Sequence, residues 1–219
     1  MNNIHTVLFD LDGTLLDTAP DLAYALNQQL LKHGLPELPL ATIRPHVGYG
    51  VRALLKVGFQ IDANHPRHTA LTEEFLALYQ THLARETILF PGIERVLQHL
   101  DDQHIPWGIV TNKPARFTFD LLKAMQLHHR AACIICGDSL SKRKPDPDQI
   151  LHALAQLNTE PRHCLYIGDT EIDVIASKAA GTHSLVALYG YVMPTEDPYT
   201  WQADGYVQQA IDIIEWLSH

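Results

Sequence analysis

Two carboxylates two residues apart, Asp10 and Asp12, stand at the end of a short apolar run and are followed by Gly13 and Thr14. In an extended stretch that spacing turns both side chains to the same side, and Gly13 permits a sharp turn directly after them. A carboxylate can attack phosphorus, splitting one difficult hydrolysis into two easier steps. A second carboxylate can protonate the departing alkoxide and later deprotonate water. The neighbouring negative charge raises its pKa, which favours the protonated form needed first. Three further islands supply partners for such a reaction: Thr111-Asn112-Lys113, Lys144-Pro145-Asp146 and Gly168-Asp169-Thr170-Glu171-Ile172-Asp173.

The obstacle is repulsion. A phosphate dianion approaching a carboxylate meets roughly 4 kcal/mol per unit pair at about 4 Å and an effective dielectric near 20. Asp169, following Gly168 at a strand end, is placed to join Asp10 around Mg²⁺, an oxygen-seeking ion. Asp173, one helical turn further, lies on the same face and can orient Asp169. Asp169 and Thr170 also suit a helix N-cap, which is compatible with metal binding. Pro145 keeps Lys144 out of helical geometry and holds it in an extended loop just before a helix. The Thr111 hydroxyl and the N–H groups after it can hold the transferring phosphoryl oxygens, with Asn112 and Lys113 closing that loop.

These residues need a scaffold that brings distant segments together. Apolar runs at Ile4–Phe9, Ile105–Val110, Ala131–Cys136, Cys164–Ile167 and His183–Leu188 read as buried strands. Helical patterns near 93–103, 115–127, 147–157 and 171–180 alternate with them, which predicts βαβ units and a mostly parallel sheet. In such sheets ligands sit at the carboxyl ends of the strands, where all four islands fall, Lys144 one loop later. The exception is residues 18–85, with helical patterns near 18–33, 40–58 and 66–84 and no clear strand. A crossover helix needs only about a dozen residues, so this stretch is expected to be an inserted all-helical cap. The alternative is helices that pad one face of the sheet. The expected division is a core of 1–17 and 86–219 and a cap of 18–85.

Within the cap, His46-Val-Gly-Tyr-Gly-Val-Arg52 is the expected substrate loop. Gly48 and Gly50 allow close approach there, and Tyr49 and Arg52 can touch a sugar or a carboxylate. Gly48 to Ala53 also matches G-x-G-x-x-A, but no buried strand precedes it and no acid follows about 20 residues later, so a dinucleotide site is not expected.

The bulk properties narrow the class. The 219 residues suffice for a sizeable core. A formal charge of −9 disfavours a nucleic-acid or anionic-membrane surface, both of which need a basic patch. Met1-Asn-Asn-Ile-His5 has no basic region and the run after it is too short for a signal peptide. No apolar segment approaches a membrane span. Three cysteines argue against a disulfide framework and for a reducing cytoplasm. Cys133-Ile-Ile-Cys136 reads as two buried strand thiols rather than a redox or zinc motif. Most of the 14 histidines are expected at the surface.

In their order and spacing the four islands resemble the four motifs of the haloacid dehalogenase (HAD) superfamily, over nearly the whole chain. The resemblance implies a Rossmann-like core with a helical cap after the first motif. It implies Asp10 as nucleophile, Asp12 as general acid and base, and Thr111 and Lys144 as phosphate binders. It also implies a Mg²⁺ site of Asp10, Asp169 and the backbone carbonyl of Asp12, with Asp173 in support. Asp12 favours phosphatase over dehalogenase chemistry. Thr111-Asn-Lys-Pro114, Lys144-Pro-Asp-Pro147 and Tyr189-Gly-Tyr191 are similar to phosphoglycolate phosphatases. Trp107 to Phe117, with Pro198, Trp201 and Ala203-Asp204, is similar to the N-acetylmuramic acid 6-phosphate phosphatases of peptidoglycan recycling. The resemblance implies a cytoplasmic phosphomonoesterase, monomer or homodimer, acting on a small phosphorylated metabolite. Phosphomutase or pyrophosphatase activity, which the same motifs serve, and a non-catalytic phospho-ligand sensor are the alternatives.

Overall fold

Val7, Leu8 and Phe9 are consecutive and fully buried, so the strand they form has apolar neighbours on both faces. The computed structural model describes residues 4–217. Part of the N-terminal stretch read above for a leader, residues 1–3, lies outside the described residues. The first strand, β1 (Thr6–Phe9), is followed by a two-residue strand, β2 (Leu16–Asp17). Four helices come next: α1 (Ala19–Lys32), α2 (Leu40–Ile43), α3 (Gly50–Phe59) and α4 (His68–His82). A second two-residue strand, β3 (Ile88–Leu89), pairs antiparallel with β2. The two segments that flank the expected cap of 18–85 are thus hydrogen-bonded to each other.

The chain then alternates: α5 (Ile93–Asp102), β4 (Trp107–Val110), α6 (Ala115–Ala124), β5 (Cys133–Ile135) and α7 (Asp148–Leu157). It continues with β6 (Cys164–Gly168), α8 (Glu171–Ala180), β7 (His183–Ala187), β8 (Gly205–Val207) and α9 (Ile213–Leu217). Six strands form one parallel sheet in the order β5-β4-β1-β6-β7-β8. The order reverses at β1, the crevice where open α/β sheets bind ligands. Val7, Phe9, Ile109, Leu165 and Ile167 fill one face of the sheet. Leu8, Val110, Cys133, Ile135 and Tyr166 fill the other, against α7 and α8.

The five expected strands are present, each within two residues of the limits read from the sequence, with two-residue differences at the starts of the Ile4, Ile105 and Ala131 runs. There Ile105-Pro106 and Ala131-Ala132 lead into the strand without joining it. The sixth, β8, was not expected because Gly205-Tyr206-Val207 is too short to carry a pattern. The single helical pattern expected at 40–58 is three elements, α2, a 3₁₀ helix at Arg44–Tyr49 and α3. Gly50, with φ of 71°, breaks the run. The dinucleotide-like glycines therefore sit between helices and not after a strand. Cys133, Cys136 and Cys164 are free and buried, and burial pushes the Cys133 thiol up to about 11. Among the described residues no helix is long and apolar enough to cross a membrane.

Candidate active site

Asp10 directly follows β1, whose carboxyl end lies between those of β4 and β6. Its N–H donates to the Ile167 carbonyl at 2.8 Å. The chain then turns at Gly13, whose φ is 85°. A Cβ there would lie 2.0 Å from Asp169 Oδ2, so only glycine lets the first and fourth islands meet. Asp169 is fully buried at the end of β6. Its Oδ2 accepts from the Tyr191 N–H at 2.8 Å, and its Oδ1 from the Thr14 hydroxyl at 3.4 Å. Asp173 closes a capping box at the start of α8, accepting from the Thr170 N–H at 3.1 Å. Cap and acidic cluster coincide.

Lys144 is buried, and its Nζ donates to Asp173 Oδ1 at 2.7 Å, the Tyr166 hydroxyl at 2.8 Å and the Val110 carbonyl at 3.0 Å. Asp10 Oδ1 lies 2.9 Å from the same ammonium as an ion pair. Burial pushes Lys144 down, but the Asp10 and Asp173 carboxylates outweigh it and hold the ammonium above its ordinary value. Buried Gln149 sets the loop: its Oε1 accepts from the Lys144 N–H at 3.1 Å and its Nε2 donates to the Cys136 carbonyl at 2.7 Å. Asn112 ties the second island to the third by donating to the Lys144 carbonyl at 2.9 Å. Thr111 is buried at the end of β4, its hydroxyl accepting from the Lys113 N–H at 3.2 Å.

Three carboxylates, Asp10, Asp169 and Asp173, each offer an oxygen within 4.8 Å of the others. One ammonium faces them. Burial, then the charge on Asp173, pushes Asp10 up to about 6 against the pull of Lys144. Burial and the other two carboxylates push Asp169 well above its ordinary value. The donor set is all oxygen. These residues fit a hard divalent cation. The Asp12 side chain stands apart from this trio. Both its oxygens accept from Lys113 Nζ at 3.1 Å, and its Oδ1 accepts from the Thr18 hydroxyl at 2.6 Å.

Sequence reasoning gave Lys113 only a loop-closing role. The structure buries it, places its ammonium 4.7 Å from the Tyr79 ring centroid and makes it the partner of Asp12. Tyr191, to which the sequence assigns no role, reaches both ends of the site. Its hydroxyl accepts from the Thr18 and Ala19 N–H groups at 2.8 and 3.0 Å and donates to Asp17 at 2.9 Å. Thr18 precedes α1 but spends its hydroxyl on Asp12, so Tyr191 caps that helix instead.

A cavity of about 570 Å³ opens above Asp10, Asp12, Thr111 and Lys144, walled by α3 and α4. Gly48, Tyr49 and Arg52 line it. Their surroundings differ from the expectation, however. Gly48 presses on the core, where a Cβ would lie 2.9 Å from Thr170 Cγ2. Tyr49 donates its hydroxyl to Glu196, and Arg52 is exposed. His68, Thr72 and Tyr79 of α4, absent from the sequence-based set, line the same cavity.

A parallel sheet with acids and a lysine gathered at its switch point defines a phosphoryl-transfer scaffold. The chain belongs to the haloacid dehalogenase-like hydrolase family, whose model matches residues 7–187. It is 44% identical over 210 residues to a phosphoglycolate phosphatase of Xanthomonas campestris pv. campestris (strain 8004), covering 95% of this chain and 94% of the relative. It is 36% identical to an N-acetylmuramic acid 6-phosphate phosphatase of Pseudomonas putida, covering 96% and 94%. The crystal structure of a predicted phosphoglycolate phosphatase from Haemophilus somnus 129pt shares the fold, with a TM-score of 0.86 at 24% identity and 99% of both chains covered. The chain is a phosphatase of this family.

Proposed function

We propose that this protein is a Mg²⁺-dependent phosphomonoesterase whose core, 1–17 and 86–219, carries the chemistry and whose cap, 18–85, covers it. The observation that carries the reading is Lys144, held between Asp10 at 2.9 Å and Asp173 at 2.7 Å in the lining of the cavity. Asp10 is the nucleophile. Its carboxylate oxygen forms a bond to phosphorus as the bond to the ester oxygen breaks, giving an aspartyl phosphate. Asp12 donates a proton to the leaving oxygen and then takes one from the water that attacks phosphorus and frees Asp10. Lys113 and Thr18 hold Asp12 in place for both transfers. Lys144, Thr111 and Asn112 hold the phosphoryl oxygens.

Asp10, Asp169 and the Asp12 carbonyl would hold the ion, with Asp173 in support. When bound, a divalent ion supplies positive charge that offsets the phosphate and Asp10. The cap excludes water during the first step.

The substrate we propose is N-acetylmuramic acid 6-phosphate, as in peptidoglycan recycling, with 2-phosphoglycolate as the rival; relatives bearing each name resemble this chain over most of its length. The size of the cavity favours the larger ester. Two measurements test the reading. Asp10→Asn is expected to abolish turnover while circular dichroism and melting temperature stay native; full activity in that variant contradicts the mechanism. Steady-state kcat/KM is expected to favour the muramic ester, and a large preference for phosphoglycolate overturns the substrate.

A further inference from the structure

The segment 189–197, which follows β7 in the core, touches the cap twice. At the cap's root, the Tyr191 hydroxyl accepts from the Thr18 and Ala19 N–H groups at 2.8 and 3.0 Å. Further along, Glu196 Oε1 accepts from the Tyr49 hydroxyl, a partner 147 residues away in sequence. The carboxylate is aimed by its own turn. The Glu196 N–H donates to the Met193 carbonyl at 3.0 Å, and the Met193 N–H donates back to Glu196 Oε2 at 3.3 Å. A side chain held at one oxygen by its own turn presents the other with little further loss of entropy.

Next to Tyr49, Gly48 packs on the start of α8. A Cβ at Gly48 would lie 2.9 Å from Thr170 Cγ2, 3.7 Å from Tyr191 Cβ and 3.8 Å from Asp169 Oδ2. The Tyr49 phenol faces the carboxylates of Asp169 and Glu171 as well as that of Glu196. Burial first, and then the bond to Glu196, hold it above its ordinary value, so it stays a donor. A bond to a charged acceptor is stronger than one between neutral groups. Both residues are only half-buried, however, so water competes for either end and the bond can open.

We propose that Glu196 is a positioning residue for the reaction: acting through Tyr49, it latches the 46–52 loop of the cap onto the start of α8, beside Asp169. The cap then has a fixed root at Tyr191 and a releasable contact at Glu196, both supplied by one core segment. That segment also holds Asp169, through the Tyr191 N–H at 2.8 Å. Gly48 and Tyr49 form part of the cavity wall. Breaking the latch therefore leaves the phosphate-binding residues in place and lowers the share of molecules whose wall is complete. Apparent affinity for the ester falls with that share, while chemistry in the latched state is unchanged and product leaves no more slowly. The kinetic part of this inference rests on the phosphatase reading above; the position of the loop is read without turnover.

The test is a double-mutant cycle of Tyr49→Phe and Glu196→Ala in the full chain, with two readouts. Backbone hydrogen exchange reports on the loop, and steady-state kinetics on the best phosphate ester report on the reaction. Each single variant is expected to speed exchange over residues 46–52 and to raise KM, both by about fivefold, on the order of one hydrogen bond at a half-buried site. The kcat is expected to equal or exceed the parent's. The double variant is expected to go no further than either single one. Glu196→Gln keeps an acceptor for the Tyr49 hydroxyl and is expected to stay within about twofold of the parent. Unchanged exchange in both single variants, or effects that multiply in the double variant, would overturn the latch. So would a loss confined to kcat, or faster exchange with KM unmoved. A parent that hydrolyses no ester defeats the phosphatase reading instead, and the exchange cycle then decides the latch alone.

Discussion

Lys113 Nζ lies 3.1 Å from each carboxylate oxygen of Asp12, and both side chains are largely buried. Burial pushes Lys113 down, but the Asp12 carboxylate beside it outweighs burial and holds the ammonium above the usual lysine value. The sign follows. This pair's contribution to stability is fully present below the unfolded lysine pKa of 10.5 and is lost only as pH rises through the raised folded value. Across neutral pH Asp12 therefore keeps its cationic partner.

Lys113→Met should accordingly lower kcat more than it raises KM. General acid–base catalysis is worth about 10²–10⁴-fold, so misplacing Asp12 is expected to cost about tenfold to a hundredfold. Asp12→Asn should cost the full range. Steady-state kinetics of both variants check this; an unchanged kcat in Lys113→Met would separate the ion pair from catalysis.

Gly13→Ala puts a methyl 2.0 Å from Asp169 Oδ2 at a φ of 85° that alanine disfavours. Asp169 must move. Activity should require a higher Mg²⁺ concentration, by about tenfold or more by analogy with disturbed metal shells, and the fold should lose about 1–3 kcal/mol. Mg²⁺ titration of activity and urea unfolding measure the two effects.

Tyr191→Phe removes the hydroxyl that caps α1 through the Thr18 and Ala19 N–H groups. Two buried donors lose their acceptor, a cost of about 1–3 kcal/mol. Calorimetry should register a lower melting temperature, while the backbone N–H that holds Asp169 remains in place.

Glu74 links α4 to α1, taking hydrogen bonds from Lys32, from Gln29 at 3.0 Å and from His33 at 2.7 Å. Burial pushes its carboxyl up, but those three donors outweigh burial and hold it down at about 2. Its contribution is present above the ordinary carboxyl value of 4.5 and is lost as pH falls from there through about 2. Glu74→Gln should be less stable than the parent at neutral pH, with the difference closing in acid. Paired denaturation curves across that range test it.

The sheet and its islands were legible because β1, β4 and β6 are continuous apolar runs that end on the residue doing the work, as Phe9 ends on Asp10. Pro145 marked Lys144 in the same way. Other partners were not legible, because their roles depend on contacts far along the chain. Lys113 meets Asp12 across 101 residues and Tyr191 meets Thr18 across 173. A lysine in a loop carries no local sign of burial, and β8 is too brief to show a period. The cap was legible as helices but not as a surface. His68, Thr72 and Tyr79 look like ordinary polar positions on an amphipathic pattern until the cavity they face is known.

The central claim is that Asp10 becomes esterified. Acid quench of the enzyme during turnover of its best phosphate ester, followed by borohydride reduction and tandem mass spectrometry, reads the site directly. Asp10 alone is expected to be recovered as its reduced alcohol, and only when substrate and Mg²⁺ are both present. Modification at another residue, or none while phosphate is being released, would contradict it.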